Sequence, residues 1–354
     1  MQGGALMGMF ILRRVSVMLL TALCLTFVVF FLTNLYPNLE KLAKTQGDFR
    51  MSDEEVASYL ENNGYLQPTL VKYGQWLGFL PGYVIEDSNG VTRARCTAPG
   101  QPVAEARRFC GVLQGHWGMS TVLKEDVGKI IRDKLALTGI LMFWVMLLMV
   151  PSALLVGILA GMREGSRTDR TLSTVSIATT ATPEYVSGVL FIAIFASSAV
   201  GLKWFKGTAT SAMDHVTFEN FFLPVLTIAA YGMGYIARMT RASMAEVMTS
   251  QYIRTARLKG VGFGAIVIRH ALRNALIAPF TVIMLQFPWL LNGVVIVETL
   301  FNYKGFGWAL VMAAGNNDID LLLAVSVVSV IVVLVTQLIS DIGYVYLNPR
   351  ISVT

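Results

Sequence analysis

Apolar and charged positions alternate along this chain in long blocks rather than residue by residue. Residues 15–39, 135–162, 220–237, 274–297 and 321–340 contain no Asp, Glu, Lys or Arg, and 171–202 contains only Glu184. A helix rises 1.5 Å per residue, so ~20 apolar residues cross a ~30 Å hydrocarbon layer. Six such blocks predict six spanning helices, the shortest being 220–237, which is expected to continue towards Arg241. Membrane strands would be ~10 residues long and alternating, and these runs are continuous. The expected fold class is an all-α membrane protein.

Composition agrees. Of 354 residues, 55% are apolar and 14% charged, against about 25% charged in an ordinary soluble domain. Mean hydropathy is +0.60, which excludes a soluble globule, a disordered chain and a coiled coil. The first block has the basic start of a signal peptide (Arg13, Arg14). Its apolar run is longer than a signal core, however, and no A-x-A site follows, so it is expected to stay as a helix. Met9 would also serve as a start, with residues 1–8 then dispensable.

The net charge of +6 is expected to record orientation rather than nucleic-acid binding. With the N-terminus inside, the inner segments carry 13 Lys and Arg, seven of them between Arg238 and Arg273, against Glu164, Asp169 and Glu246. Short outer segments carry Lys203, Lys206 and Lys304. The long segment 34–134 has 12 bases and 12 acids, and a loop of that length is translocated regardless of its charge. The expected topology is N-in and C-in, with 34–134 outside.

Within 34–134, Ser52-Asp53-Glu54-Glu55 has capping-box spacing and predicts a helix running to Gly64, with Val56, Tyr59 and Leu60 on one face. Pro68 suits the first turn of a second helix carrying Leu70, Tyr73, Trp76 and Leu77. Residues 81–115 are rich in Gly, Pro, Asn and charge, as in an inserted loop. This loop holds Cys96 and Cys110, which in an oxidising compartment either pair, closing a loop worth ~3 kcal/mol, or remain free thiols. Cys24 lies inside the first span. His116, His215 and His270 lack ligand spacing, so no metal site is expected.

The segment after the fourth block is the most informative. Met244, Met248, Tyr252 and Ala256 fall on one i, i+4 row beside Val247, as on an amphipathic helix. Gly260, Gly262 and Gly264 would end it. A second helical pattern over 265–276 places Arg269 and Arg273 at i, i+4. The residues alone leave a basic helix pair resting on anionic lipid as an open reading.

Arg254-Thr255-Ala256 followed by Gly260 occupies the E-A-A-x-x-x-G pattern of permease subunits in bacterial ABC importers. The run from Tyr252 to Gly260, followed by Arg269-His-Ala-Leu-Arg-Asn-Ala-Leu276, resembles the dipeptide/oligopeptide/nickel permease family. So do Phe10-Ile-Leu-Arg-Arg14, Gln67 to Trp76, Ala237 to Ser243, Val297-Glu-Thr299 with Gly305-Phe-Gly307, and Asn348-Pro-Arg-Ile351. The chain departs from the pattern at Arg254, where Glu is usual outside the peptide branch. It also departs at Pro279, one residue late, at Asn38-Leu39, where Gly-Asp-Pro usually stands, and in the longer Cys96/Cys110 loop.

The resemblance implies one permease domain over 1–354, with an extracytoplasmic segment at 34–134 and an ATPase-coupling loop at 241–278. It implies a second homologous permease, two cytoplasmic ATPases and an extracytoplasmic binding protein as partners in the bacterial inner membrane. The chain lacks G-x-x-x-x-G-K-[ST], so ATP and Mg would be bound by the ATPases and this subunit would not be an enzyme. Tyr252, Arg254, Thr255, Ala256, Arg257, Lys259, Gly260, Arg269 and Arg273 are the expected coupling residues. The expected translocation path is Thr182, Pro183, Glu184, Gln286 and Asn292, although Glu184 could equally serve an interhelical hydrogen bond or lie near the head groups. Glu298 and Asp341 are expected at packing or capping positions. Peptides, oligosaccharides, opines and nickel chelates all remain open as substrates. A secondary transporter would show paired repeats, and none is evident.

Overall fold

A computed structural model describes residues 2–86, 90, 92–97, 102–198 and 202–347. In chain order the elements begin with α1 (Gln2–Thr33), α2 (Tyr36–Gln46), α3 (Asp53–Asn62) and α4 (Thr69–Leu77), followed by the antiparallel pair β1 (Val84–Glu86) and β2 (Thr92–Ala94). Next come α5 (Val127–Gly161), α6 (Arg167–Ala181), α7 (Glu184–Phe195), α8 (Phe218–Met248) and α9 (Gln251–Leu258). α10 (Phe263–Ala265), a π-helical stretch Ile266–Ala271 and α11 (Leu272–Ala275) lead to α12 (Ile277–Leu300), α13 (Phe306–Gly315) and α14 (Ile319–Leu347). Among the described residues, four helices are long and apolar enough to cross a membrane, and up to six crossings result if two bent pairs each count as one span.

Two of the expected blocks differ from straight spans for visible reasons. The 171–202 block is two helices bent by 108°, because Thr182 and Pro183 adopt extended backbone between them. The first block stops at Thr33, and Pro37 then sits in the first turn of α2, where its missing N–H costs nothing.

The chain divides into two units, which are described separately. The helical unit comprises Met1–Ser16, Leu135–Trp308 and Val332–Thr354. Its centre is α8, 72% of whose apolar window is buried, enclosed by α5, α6, α7 and α12. Gly157 and Gly161, one helical turn apart on α5, explain the close approach to α8. A Cβ on either would lie 2.6 Å from a backbone carbonyl, that of Ala237 or Arg241. Small residues at this spacing let helix backbones pack where lipid supplies no hydrophobic drive. α8 opens with a capping box of Thr217 and Asn220 and continues seven residues past Arg241.

The disulfide-bearing unit comprises Val17–Lys134 and Ala309–Ile331. Leu39, Leu42 and Ala43 of α2, Val56 and Leu60 of α3, and Tyr73 and Trp76 of α4 form its core with Phe30, Ile319, Leu323 and Val327. The Ser52–Glu55 capping box is present in both directions, and α3 ends at Asn62, before Gly64. Pro68 is the residue before α4 rather than within it. Cys96 and Cys110 are joined by a disulfide. Asp318 ties the start of α14 down, accepting from Ser120 Oγ at 2.6 Å and from the Val122 amide at 3.3 Å.

Candidate coupling segment and translocation elements

The 241–278 segment is built on the end of α8. That helix stops at Met248, and Ser250 takes extended backbone before α9 begins. The i, i+4 row expected across Met244, Met248, Tyr252 and Ala256 is therefore interrupted. Met244 and Met248 are buried, but the next inward side chain is Ile253, fully buried, while Tyr252 is exposed. The break at Ser250 re-phases the helix face, and an unbroken 3.6-residue period does not anticipate that.

Ile253 packs with Ile266, Val267, Ala271 and Ala275 on Met244 and Met248. Two hydrogen bonds hold the returning strand of chain: Ser243 Oγ donates to the Ala275 carbonyl at 2.8 Å, and Asn274 Nδ2 donates to Tyr252 Oη at 2.9 Å. Gly260 turns the chain with φ +78°, and a Cβ there would touch nothing. Its requirement is therefore one of backbone conformation alone, which an L side chain adopts at a cost of ~1–2 kcal/mol. Residues 265–276 form a π stretch followed by a short α turn rather than one α-helix.

This small core turns the charges outward. Arg254, Thr255, Arg257, Lys259, Arg269 and Arg273 are exposed, and Ala256 is half-buried. Between the bases stand Leu258, 82% exposed, and Ile268, 69% exposed. A face combining five cations with two protruding aliphatic side chains is suited to an acidic groove with an apolar floor.

One structural link in this region escaped the sequence reading. Arg241 pairs in bidentate fashion with Asp169, at 2.6 and 2.8 Å, and reaches Glu164 at 3.7 Å. Asp169 is buried and also accepts from the Gly165 amide and Ser173 Oγ. The pair fastens α6 to α8 at the root of the segment. No local pattern signals it, since 72 residues separate the partners.

Among the expected path residues, Thr182 and Pro183 form the bend itself, with Thr182 Oγ1 donating to the Ala178 carbonyl at 2.8 Å. Glu184 lies in the first turn of α7, half-buried, and makes no hydrogen bond or ion pair to a described residue. It faces α12: a Cβ on Gly293 would lie 2.8 Å from Glu184 Oε2. Gln286 is buried on α12. The side chain of Asn292 lies outside the described residues, as does the 348–351 motif. Trp289 stacks on Tyr231 of α8 with centroids 4.8 Å apart.

Glu298 has a packing role. Fully buried, it accepts from Thr138 Oγ1 and from the Trp308 amide at 2.9 Å, while Thr138 Oγ1 accepts from the Phe306 amide at 2.8 Å. Asp341 lies 3.3 Å from Arg14 and accepts from Gln337. Among the described residues no group of three or more His, Cys, Asp or Glu is placed to hold a metal ion.

Residues 153–353 match the family model described as a binding-protein-dependent transport system inner membrane component. The chain belongs to that family. This binding-protein-dependent inner membrane component is thus a multi-pass membrane protein of the bacterial inner membrane. Similar chains include a probable peptide ABC transporter permease protein of Sinorhizobium fredii, 28% identical over 98% of this chain and 99% of the relative. The oligopeptide transport system permease protein AppB of Bacillus subtilis is 28% identical over 98% of this chain and 100% of its own length. The glutathione transport system permease protein GsiC of Escherichia coli is 32% identical over 68% of this chain and 76% of its own.

Proposed function

We propose that this chain is one of two permease subunits of an ATP-driven importer for peptides or peptide-like solutes. The observation that carries the reading is the exposed basic face of the 241–278 segment, held on a small core at the end of the most buried helix. In this reading, Arg254, Arg257, Lys259, Arg269 and Arg273 pair with acidic residues of a cytoplasmic ATPase, and Leu258 and Ile268 enter its apolar floor. ATP and Mg belong to two ATPase partners, and an extracytoplasmic binding protein delivers the solute to the pair of permeases.

Closure of the ATPases would move α9–α11, and through the Met244–Ile253 core and the Arg241–Asp169 pair that displacement would reach α8 and α6. In this reading the chain makes six crossings with both termini inside, supported by inner segments in which 13 bases far outnumber the acids. Segment 34–134 is then extracytoplasmic, in keeping with a disulfide. Inward and outward access alternate as two populations whose balance the nucleotide state shifts. The bend at Thr182–Pro183 and Glu184, which lies against Gly293 with no partner among the described residues, are assigned to the path, where the carboxylate meets a cationic group of the solute. Gln286 and Asn292 are assigned to its wall. The names of the relatives favour peptide-like solutes over an oligosaccharide, opine or nickel chelate.

The test is Gly260→Val in the assembled transporter. The expected outcome is normal membrane insertion with uptake abolished and ATP hydrolysis no longer stimulated by solute. Uptake at the unmodified rate would remove the coupling role.

A further inference from the structure

The disulfide-bearing unit holds an open cavity of about 240 Å³ between the end of α1, α4 and the start of α14. Three of its lining residues, Lys72, Gln75 and Trp76, stand at i, i+3 and i+4 on α4 and so share one face. All three are more than nine-tenths buried. Their hydrogen-bonding capacity is not used up. The Lys72 ammonium has three protons and donates to Asn34 Oδ1 at 3.2 Å and to the Tyr65 carbonyl at 2.8 Å. The Gln75 amide makes no hydrogen bond within the described residues, and the buried indole N–H of Trp76 finds no acceptor among them. Burial also holds the Lys72 ammonium below the ordinary lysine pKa, a penalty that an incoming anion would relieve.

The opposite charge is present in the same cavity. Asp320 lines it, accepts a hydrogen bond from the Met119 backbone amide and lies within electrostatic reach of Arg95, which lines the same cavity. Its carboxylate occupies room that exists because residue 118 is glycine: a Cβ there would lie 2.5 Å from Asp320 Oδ2. A cavity offering surplus donors on one element and a carboxylate on another complements a molecule bearing both charges. The space far exceeds one water, whose share of liquid volume is about 30 Å³.

We propose that this cavity binds a small zwitterion with an α-ammonium and an α-carboxylate group, Lys72 and Gln75 receiving the carboxylate and Asp320 the ammonium. The site goes beyond the transport reading, because most of its residues precede the 153–353 region that matches the family. A free amino acid and a short peptide share this chemistry.

The experiment is calorimetric titration of the full chain in lipid nanodiscs with L-alanine, L-alanyl-L-alanine, N-acetyl-L-alanine and L-alaninamide. The expected result is binding of one of the two zwitterions and at least tenfold weaker binding of both half-blocked compounds. Lys72→Met and Asp320→Asn are each expected to weaken binding about tenfold, with Gln75→Leu giving a smaller loss. Retention of the Cys96–Cys110 bond on non-reducing gels checks that each variant is folded. If Lys72→Met fails that check, Lys72→Gln, which removes the charge but keeps a donor for the Tyr65 carbonyl, takes its place. L-alanine binding identifies the free amino acid as the source; binding of the dipeptide alone identifies a peptide. No binding of either zwitterion at millimolar concentration would show a water-filled cavity and overturn the proposal, as would equal binding of N-acetyl-L-alanine or unchanged affinity in both charge variants. The measurement needs no ATP and no partner, so its failure is distinguishable from failure of the importer reading.

Discussion

The disulfide-bearing unit and the 241–278 segment solve opposite problems with similar materials. The former satisfies much of its bonding capacity internally, with a reciprocal capping box on α3, a disulfide across its loop and buried aromatic rings of α1 and α4 in contact. The latter buries one thin row from Met244 to Ala275 and turns its bases and two aliphatic side chains outward. Surface of that kind stabilises nothing within this chain and is available to another. The contrast teaches that a segment's contribution to fold and its contribution to partnership can be separated by asking where its bonding capacity ends.

The largest expected effect tests the root of the exposed segment. Arg241→Met leaves Asp169 buried without its counter-ion and should cost ~3–5 kcal/mol, seen as a lower Tm of the purified chain. Adding Asp169→Asn should recover most of that loss, and a double variant no more stable than the single would refute the pairing argument. Replacing both Cys96 and Cys110 with Ser should cost ~3 kcal/mol of loop-closure stabilisation. Limited proteolysis should then accelerate between residues 82 and 110 and remain unchanged at 241–278.

Ser52→Ala removes half of the capping box and should cost about 1 kcal/mol. Faster hydrogen exchange at the amides of Glu55 and Val56 would report it. The smallest effect on stability, within ~0.5 kcal/mol, is expected for Leu258→Asp with Arg254→Glu. The same change should abolish stimulation of the proposed partner ATPase, so that a large functional loss accompanies an unchanged Tm. A large fall in Tm instead would show that the face is built into the fold.

How legible these features were depends on how far apart their parts lie. Ser52 and Glu55, or Gly260 and the helix it ends, interact across a few residues, and the chain's own geometry brings them together whatever the rest does. The break at Ser250 was not legible. Ser is a neutral helix residue, and the re-phasing that buries Ile253 in place of Tyr252 is decided by the row formed by Ile266, Val267 and Ala271. Glu298 was placed correctly at a packing position, but its partners Thr138 and Trp308 could not be named, because neither stands at a helical spacing from it.

By itself, the sequence determined that this is a helical membrane protein, where its apolar blocks lie, how α3 is capped and where the chain turns at Gly260. These follow from composition and from contacts three or four residues apart, which no tertiary arrangement is needed to bring about. Tertiary structure alone decided that Asp169 meets Arg241, that Glu184 faces Gly293 and that Lys72 and Asp320 share one cavity. In each case the partners lie between 72 and 248 residues apart. Only the packing of whole helices closes such distances, and many pairings of equal chemistry compete until it does.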